Sequence, residues 1–352
     1  MTQGITYTNH VGEALDSVLA GIDYNKAIIV ADVNTAKMVV PRLGSTALDG
    51  APVIIIPAGE DGKNLDTLAR VWTQLGNLRA TRKSLVVNVG GGVVTDLGGF
   101  AAATFKRGIR FINCPTSLLG AVDASVGGKT GIDFNGLKNE IGTFSMPLHT
   151  LISSCFLDTL PIEEIKAGYA EMLKHAMLHS HTLFGELLNE DFSTPFDTDV
   201  FLKHLEQSVA IKLHFTDSDP LETGLRQALN LGHTVAHAFE SLALKRGKAI
   251  QHGYAVAWGL VTETYLSHKL LGFPSQDLYA LARFVLEQYG AFHITCDDYD
   301  ALTSFMTHDK KSHDGEISCS LLAKCGEVHT GINVSTDDMK AALDIYRDLM
   351  HI

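Results

Sequence analysis

A change of hydrophobic period divides this chain of 352 residues into two kinds of polypeptide. Over roughly the first 145 residues, short β-branched runs alternate with helix-like stretches, the pattern of βαβ units. Ala27 to Val30 runs into Asp32 and Asn34, Pro52 to Ile56 into Pro57-Ala58-Gly59-Glu60, and Ser84 to Val89 into Gly90-Gly91-Gly92. From about Leu160 onward, apolar residues recur at helical spacing instead. Such segments cover Ile165 to His179, Val200 to Phe215, Leu225 to Leu244, Tyr254 to Leu271 and Gln276 to Tyr289, with one strand-like run, Ile317 to Leu322. The expectation is an α/β domain over 1–155 and an all-α domain over 156–352, with the boundary near Pro147 to Pro161. Ligands of open α/β sheets bind outside the carboxyl ends of the strands, so the loops there, and the cleft facing the helical domain, are where chemistry is expected.

Composition removes several classes of function. Lys plus Arg is 28 and Asp plus Glu is 40, giving a formal charge of −12. An acidic surface cannot supply the basic face that displaces counterions from nucleic acid, so no nucleic-acid partner is expected. No run of about 18 apolar residues occurs, and the N-terminus lacks a charged stretch followed by an apolar core. A cytoplasmic protein without a membrane partner is expected. The cysteines, Cys114, Cys155, Cys296, Cys319 and Cys325, are odd in number and form no C-x-x-C pair, so any metal must use His and carboxylate ligands.

The motifs carry the functional signal. Gly90-Gly91-Gly92-Val93-Val94-Thr95-Asp96 follows a strand and opens a helix, where backbone N–H groups can hold a pyrophosphate, although three glycines at a strand end also suit an ordinary tight turn. Asp123 to Thr130 ends in Gly-Lys-Thr, but a phosphate-binding P-loop needs glycine at position 123, so Asp123 and Lys129 are candidates for contact with substrate or cofactor instead. His233 and His237 stand at i and i+4, a spacing that chelates zinc but equally marks a packed or surface pair. Glu171 and His252, from two other segments, would complete a site with open positions. Lys174, Lys212, Arg226 and Lys310-Lys311, each unremarkable as a solvated charge, together suggest capture of a phosphate or carboxylate.

In their order and spacing, the segments from Pro57 to Lys63, Gly90 to Asp96, Phe105 to Gly108, Pro115 to Leu119, Asp123 to Lys129, Gly136 to Asn139, Ala170 to Lys174, Glu222 to His237, His252-Gly253 and Asp309 to Lys311, with Lys212, resemble the 3-dehydroquinate synthase family of sugar-phosphate cyclases. The resemblance spans nearly the whole chain. It implies a homodimer with an α/β NAD-binding domain and an α-helical metal-binding domain. Glu171, His233 and His252 would be the ligands of one divalent metal, zinc or cobalt. NAD would meet Asp32, Glu60, Lys63, Gly91, Gly92, Val93, Asp96, Thr116, Ser117, Lys129, Lys138, Phe156 and Thr159. Substrate would meet Asp123, Lys129, Asn139, Lys174, Lys212, Glu222, Arg226, Asn230, His237 and one of Lys310 or Lys311, with Arg107 reaching the phosphate from the neighbouring subunit. The implied reaction converts 3-deoxy-D-arabino-heptulosonate 7-phosphate to 3-dehydroquinate and phosphate, by transient oxidation at C5, elimination, reduction and aldol closure. Ser117, Asp133 and Tyr254 depart from the family's commonest residues, and none of them is an implied metal ligand. A polyol dehydrogenase would share the fold but has little use for the basic cluster. A cyclase acting on another sugar phosphate would alter the surroundings of Arg226 and Asn230, and a non-catalytic NAD-sensing protein would lose metal ligands.

Overall fold

The computed structural model describes residues 3–135, 137–192, 197–307 and 316–352. The chain divides into two compact units, 1–165 with 194–209, and 166–193 with 210–352.

In the first unit, strands β1 (Gly4–Tyr7), β2 (Ala27–Asp32), β3 (Val53–Ile56), β4 (Leu85–Gly90) and β5 (Arg110–Pro115) alternate with helices α1 (Val11–Ala20), α2 (Val33–Met38), α3 (Leu65–Asn77) and α4 (Gly92–Thr104). A hairpin, β6 (Lys129–Phe134) and β7 (Leu137–Phe144), and a last strand β8 (His149–Ile152) complete it. Six strands form one parallel sheet in the order β1-β8-β5-β4-β2-β3. The apolar runs of β2 and β4, the latter interrupted only by buried Asn88, follow from burial on both faces. Ile28, Val30 and Val86 pack toward Leu68, Val71 and Leu75 of α3 and Leu97 of α4. Ile29, Ala31, Val87 and Val89 pack on the opposite face toward Val11, Leu15 and Leu19 of α1. The i, i+4, i+8 spacing in α1 is what turns those three side chains onto one face. The chain leaves β2 toward β3 on one side and returns to β4 on the other, so the strand order reverses between β2 and β4. Their adjacent carboxyl ends, at Asp32 and Gly90, therefore mark the crevice in which such sheets take dinucleotides.

The second unit contains most of α5 (Ile162–His179), then α6 (His181–Leu187), and the C-terminal part of α7 (Thr198–Ser218). It continues with α8 (His233–Lys245), α9 (His252–Leu271), α10 (Ser275–Tyr289), α11 (Tyr299–Thr307), the hairpin β9 (Ile317–Lys324) and β10 (Glu327–Val334), and α12 (Thr336–Leu349). Helix α9 is buried almost all round from Gly253 to Ser267, against α8, α10, α12 and β9. No helix among the described residues is long and apolar enough to cross a membrane.

One helix expected from the sequence, Leu225 to Leu244, is broken. A short 3₁₀ segment covers Leu225–Asn230, and α8 begins only at His233. Gly232 between them has φ +80, a left-handed conformation that ends one segment and starts the next. The strand-like run at 317–322 is one arm of an antiparallel hairpin whose partner, β10, the periodicity did not reveal.

Candidate active site

In the first unit the loops at the strand ends bring several expected residues together. Buried Lys63 is the hub: its ammonium lies 2.7 Å from Asp96 Oδ2, 3.6 Å from Glu60 Oε1, and donates to Asn139 Oδ1 at 2.5 Å. Burial opposes the charge on Lys63, but the Asp96 and Glu60 carboxylates outweigh it and hold the ammonium above the ordinary lysine range. Asn139 adopts φ +52, and its backbone N–H donates to Asp133 Oδ1 at 2.7 Å. Asp133, one of the family departures, thus fixes the backbone of an expected site residue.

The glycine turn does join a strand to a helix: β4 ends at Gly90, Gly91 is the N-cap, and α4 starts at Gly92. A Cβ on Gly91 would stand 3.0 Å from Ser117 Oγ, and one on Gly92 would stand 3.2 Å from Ala124. The glycines therefore let the loops after β4 and β5 close on each other. Thr116 N–H donates to Gly90 O at 3.0 Å, and Ser117 Oγ accepts from Gly120 N–H at 3.1 Å. Val93 packs against the apolar cluster beneath. Gly127-Gly128-Lys129 leads into strand β6 rather than into a helix, so the helix N-terminus of a P-loop is missing there. Asp123 sits on the π-turn Gly120–Ala124, while Lys129 and Lys138 lie exposed at the hairpin.

Other expected residues serve local structure as well. Asp32 caps α2, accepting from Asn34 N–H at 2.8 Å and Thr35 N–H at 3.0 Å, both on Oδ1. Phe156 packs against the cluster under α1, and Thr159 closes a turn onto Phe156 O at 3.3 Å. Arg107 has φ +65 on the turn after α4, beside a hollow of about 400 Å³ lined by Thr81, Arg82 and Lys106.

The second unit assembles the ligand set. Glu171 of α5 is wholly buried, and its Oε1 lies 3.4 Å from His233 Nε2 and 3.7 Å from His252 Nε2. Lys174 ion-pairs with Oε2 one turn along the same helix. Burial disfavours the Glu171 charge, but the Lys174 ammonium holds the carboxyl well below its usual range. The tautomers follow from the partners. His233 Nδ1 lies 3.1 Å from the Leu231 carbonyl, which can only accept, so Nδ1 carries the proton and Nε2 keeps its lone pair. Burial pushes His233 down to about 4, so the imidazole is neutral at pH 7. His252 Nδ1 faces Glu240 Oε2 at 3.4 Å, the carboxylate contact that orients a ligating imidazole.

The His233 Nε2 lone pair aimed at a carboxylate oxygen repels it, and Glu171 Oε1 has no hydrogen-bond donor among the described residues. A cation among the three groups removes both faults, so one buried carboxylate and two imidazoles fit a divalent metal. A second grouping, His237 with Glu240 and His252, shares one ligand with the first. The His237 ring lies edge-on to His233 at 5.6 Å and stacks on His252 at 6.1 Å.

Elsewhere in the second unit, Lys212 and Arg226 are buried. Arg226 donates to the Pro220 carbonyl at 2.9 Å, and Asn230 donates to Glu222 Oε1 at 3.1 Å, with Glu222 at φ +59. Lys310 and Lys311 lie outside the described residues. Sequence reasoning missed Asp219, whose carboxylate takes the N–H groups of Thr223, Gly224 and Arg226, and the buried acids Glu240 and Glu263. For Glu240 and Glu263 the available signal was an acid inside an otherwise apolar helical run, which has to be paired to be buried.

Family models for the 3-dehydroquinate synthase N-terminal and C-terminal domains match residues 53–167 and 168–312. A 3-dehydroquinate synthase of Parabacteroides distasonis is 44% identical over 347 residues, covering 98% of each chain.

The chain belongs to the 3-dehydroquinate synthase family.

Among solved structures, a 2-epi-5-epi-valiolone synthase from Streptomyces hygroscopicus with NAD+ and Zn2+ bound superposes with a TM-score of 0.83 at 25% identity, covering 99% of this chain and 97% of that one. A 2-deoxy-scyllo-inosose synthase, complexed with carbaglucose-6-phosphate, NAD+ and Co2+, gives 0.81 at 22% identity, with 96% and 95% covered, and so shares the fold.

Proposed function

We propose that this chain is a 3-dehydroquinate synthase, a lyase that converts 3-deoxy-D-arabino-heptulosonate 7-phosphate to 3-dehydroquinate and phosphate with no net oxidation. The observation that carries the reading is Glu171, buried and facing Nε2 of both His233 and His252. These three residues hold one divalent metal, zinc or cobalt. NAD would be held by the Glu60-Lys63-Asp96 cluster, the turn at Gly91 and Gly92, and the loop at Thr116 and Ser117, with Asp32, Val93, Lys129, Lys138, Phe156 and Thr159 as further contacts. When bound, the metal acidifies a sugar hydroxyl and NAD takes up and returns a hydride at C5.

The protein's own groups do the remaining work. His237 handles the proton of the C5 hydroxyl. Lys212 and Arg226, with Lys174 and one of Lys310 or Lys311, hold the phosphate and the C1 carboxylate, while Asp123, Asn139, Glu222 and Asn230 fix the hydroxyls. That orientation lowers the entropy cost of both elimination and ring closure. The enzyme works as a cytoplasmic homodimer in which Arg107 reaches the phosphate of the neighbouring subunit. Mixed dimers of Arg107→Ala and His233→Ala recover activity on this reading, and demonstrated subunit exchange without recovery would assign Arg107 to its own chain.

The deciding assay follows phosphate release from the heptulosonate phosphate with catalytic NAD. Release without lasting NADH absorbance is the expected result, because hydride is returned before product leaves. Stoichiometric NADH would mean a dehydrogenase.

A further inference from the structure

The buried carboxylate of Glu263 has no place in the chemistry above, yet each of its two oxygens accepts a hydrogen bond from the element that carries His233. Glu263 lies on α9, three turns beyond His252, and is fully buried. Its Oε2 accepts the backbone N–H of Gly232 at 2.7 Å, and its Oε1 accepts that of Val235 at 3.0 Å. Those are the N-cap and third residues of α8's opening turn, and His233 is the first residue of that helix. The opening N–H groups of a helix need acceptors, ordinarily supplied by the N-cap side chain. Gly232 has none, so the acceptor comes from the neighbouring helix.

The absence of a side chain at 232 also has a reason. A Cβ there would meet Leu260 at 2.9 Å, and a Cβ on Gly259 would fall 2.0 Å from Gly232 O. Helices α8 and α9 thus touch backbone to backbone at 232 and 259, and Glu263 grips the same turn of α8 one helical turn further along α9. Two hydrogen bonds from one rigid carboxylate fix both the position of that turn along its axis and its rotation about it. Rotation of α8 by a few degrees would swing His233 Nε2 away from Glu171 Oε1.

We infer that Glu263 is a positioning residue for the metal centre: by holding the Gly232 and Val235 N–H groups it sets the orientation of His233, in trans from the helix that carries His252. The inference rests on the metal assignment to Glu171, His233 and His252. It predicts an effect on metal affinity and coordination geometry rather than on the fold. In Glu263→Gln the side chain is nearly isosteric, but its NH2 group cannot accept, so one backbone N–H loses its partner and faces a second donor. Outer-shell changes of this kind weaken metal binding by roughly 10- to 100-fold.

The test titrates Zn2+ into the metal-free full chain against a competing chelator, and records the visible absorption of the Co2+ form. Ser267→Ala is the comparison: Ser267 Oγ also makes buried hydrogen bonds on α9, donating to Glu263 O at 2.8 Å and accepting from Leu322 N–H at 3.0 Å, and neither of these bonds goes to α8. Glu263→Gln is expected to weaken Zn2+ binding and alter the Co2+ spectrum, while Ser267→Ala lowers thermal stability and leaves both unchanged. A folded Glu263→Gln protein with wild-type affinity and spectrum overturns the inference, as does an equal loss in Ser267→Ala. If Glu263→Gln does not fold, amide exchange in the metal-free wild type decides, since Gly232 and Val235 must be protected without metal. Free exchange at both overturns it. A wild type that binds no Zn2+ stoichiometrically would instead overturn the metal assignment, a distinct outcome.

Discussion

His233 and His237 stand one turn apart on α8, but their surroundings divide their tasks. His233 Nε2 lies 3.4 Å from the buried Glu171 and is held neutral by burial, whereas His237 stacks on His252 beside Glu240. Removing one ligand of three leaves two groups that cannot hold the ion against water. His233→Ala is therefore expected to purify with little metal, while His237→Ala keeps its metal and loses turnover by roughly 10²- to 10⁴-fold. Elemental analysis after dialysis separates the two, and equal metal loss in both would move His237 into the ligand set. Asp16 makes a different kind of prediction, far from the chemistry. Its carboxylate accepts from Ser45 Oγ at 2.5 Å, Thr46 Oγ1 at 2.7 Å, Ala47 N–H at 3.0 Å and Thr46 N–H at 3.1 Å. The Ser45 hydroxyl first, then the Ala47 N–H and the Thr46 hydroxyl, hold it well below the usual carboxylate range. A carboxyl depressed in the folded state stabilises fully above its unfolded pKa of about 3.9 and loses that contribution as pH falls toward the folded value. Asp16→Ala should thus melt below wild type at pH 7, with the gap narrowing below about pH 4. A gap that stays constant down to pH 2 would show that the carboxylate charge is not involved.

At the scale of elements, the candidate ligands are held by three helices that meet without side chains between them. A Cβ on Gly253 of α9 would fall 1.8 Å from Ala167 O of α5, the helix of Glu171, and one on Gly259 would fall 2.0 Å from Gly232 O at the start of α8. Two tendencies compete in Gly259→Ala. Helix propensity favours alanine by about 1 kcal/mol. Overpacking against a backbone carbonyl that cannot rotate away costs about 1 to 3 kcal/mol, and here the helices themselves must separate. The expected outcome is net destabilisation, read as a lower urea midpoint with unchanged slope. A gain in stability would mean that α8 and α9 are not in backbone contact.

Across the whole molecule, what the sequence disclosed followed its apolar pattern. The strands through Ile28, Ile54 and Val87 were legible because a parallel sheet buried on both faces needs near-continuous apolar runs. Hairpin β6–β7 was not, since Leu137 to Phe144 is exposed throughout and carries no inside-outside alternation. The break at Gly232 was hidden because apolar spacing continues across it, and a positive φ leaves no trace in periodicity. Glu171, His233 and His252 could be singled out by residue type and resemblance. Glu240 and Glu263 could be suspected only of being paired, because their partners, the His252 ring for one and the Gly232 and Val235 N–H groups for the other, are set by how the helices pack. The glycine contacts among α5, α8 and α9 carry one more consequence. Where a metal must gather its ligands from a loose chain, chelation melts the structure, because binding and folding are one event. Here the ordering entropy of the ligands is spent when the apolar helices pack, before any ion arrives. The metal-free protein should therefore keep its helical circular dichroism after chelation and regain activity on adding Zn2+ or Co2+ without a refolding phase, whereas collapse of the helical signal would show that the ion is a structural element. A centre pre-organised in this way can exchange its ion from solution, so the metal it carries is set by supply as much as by the protein.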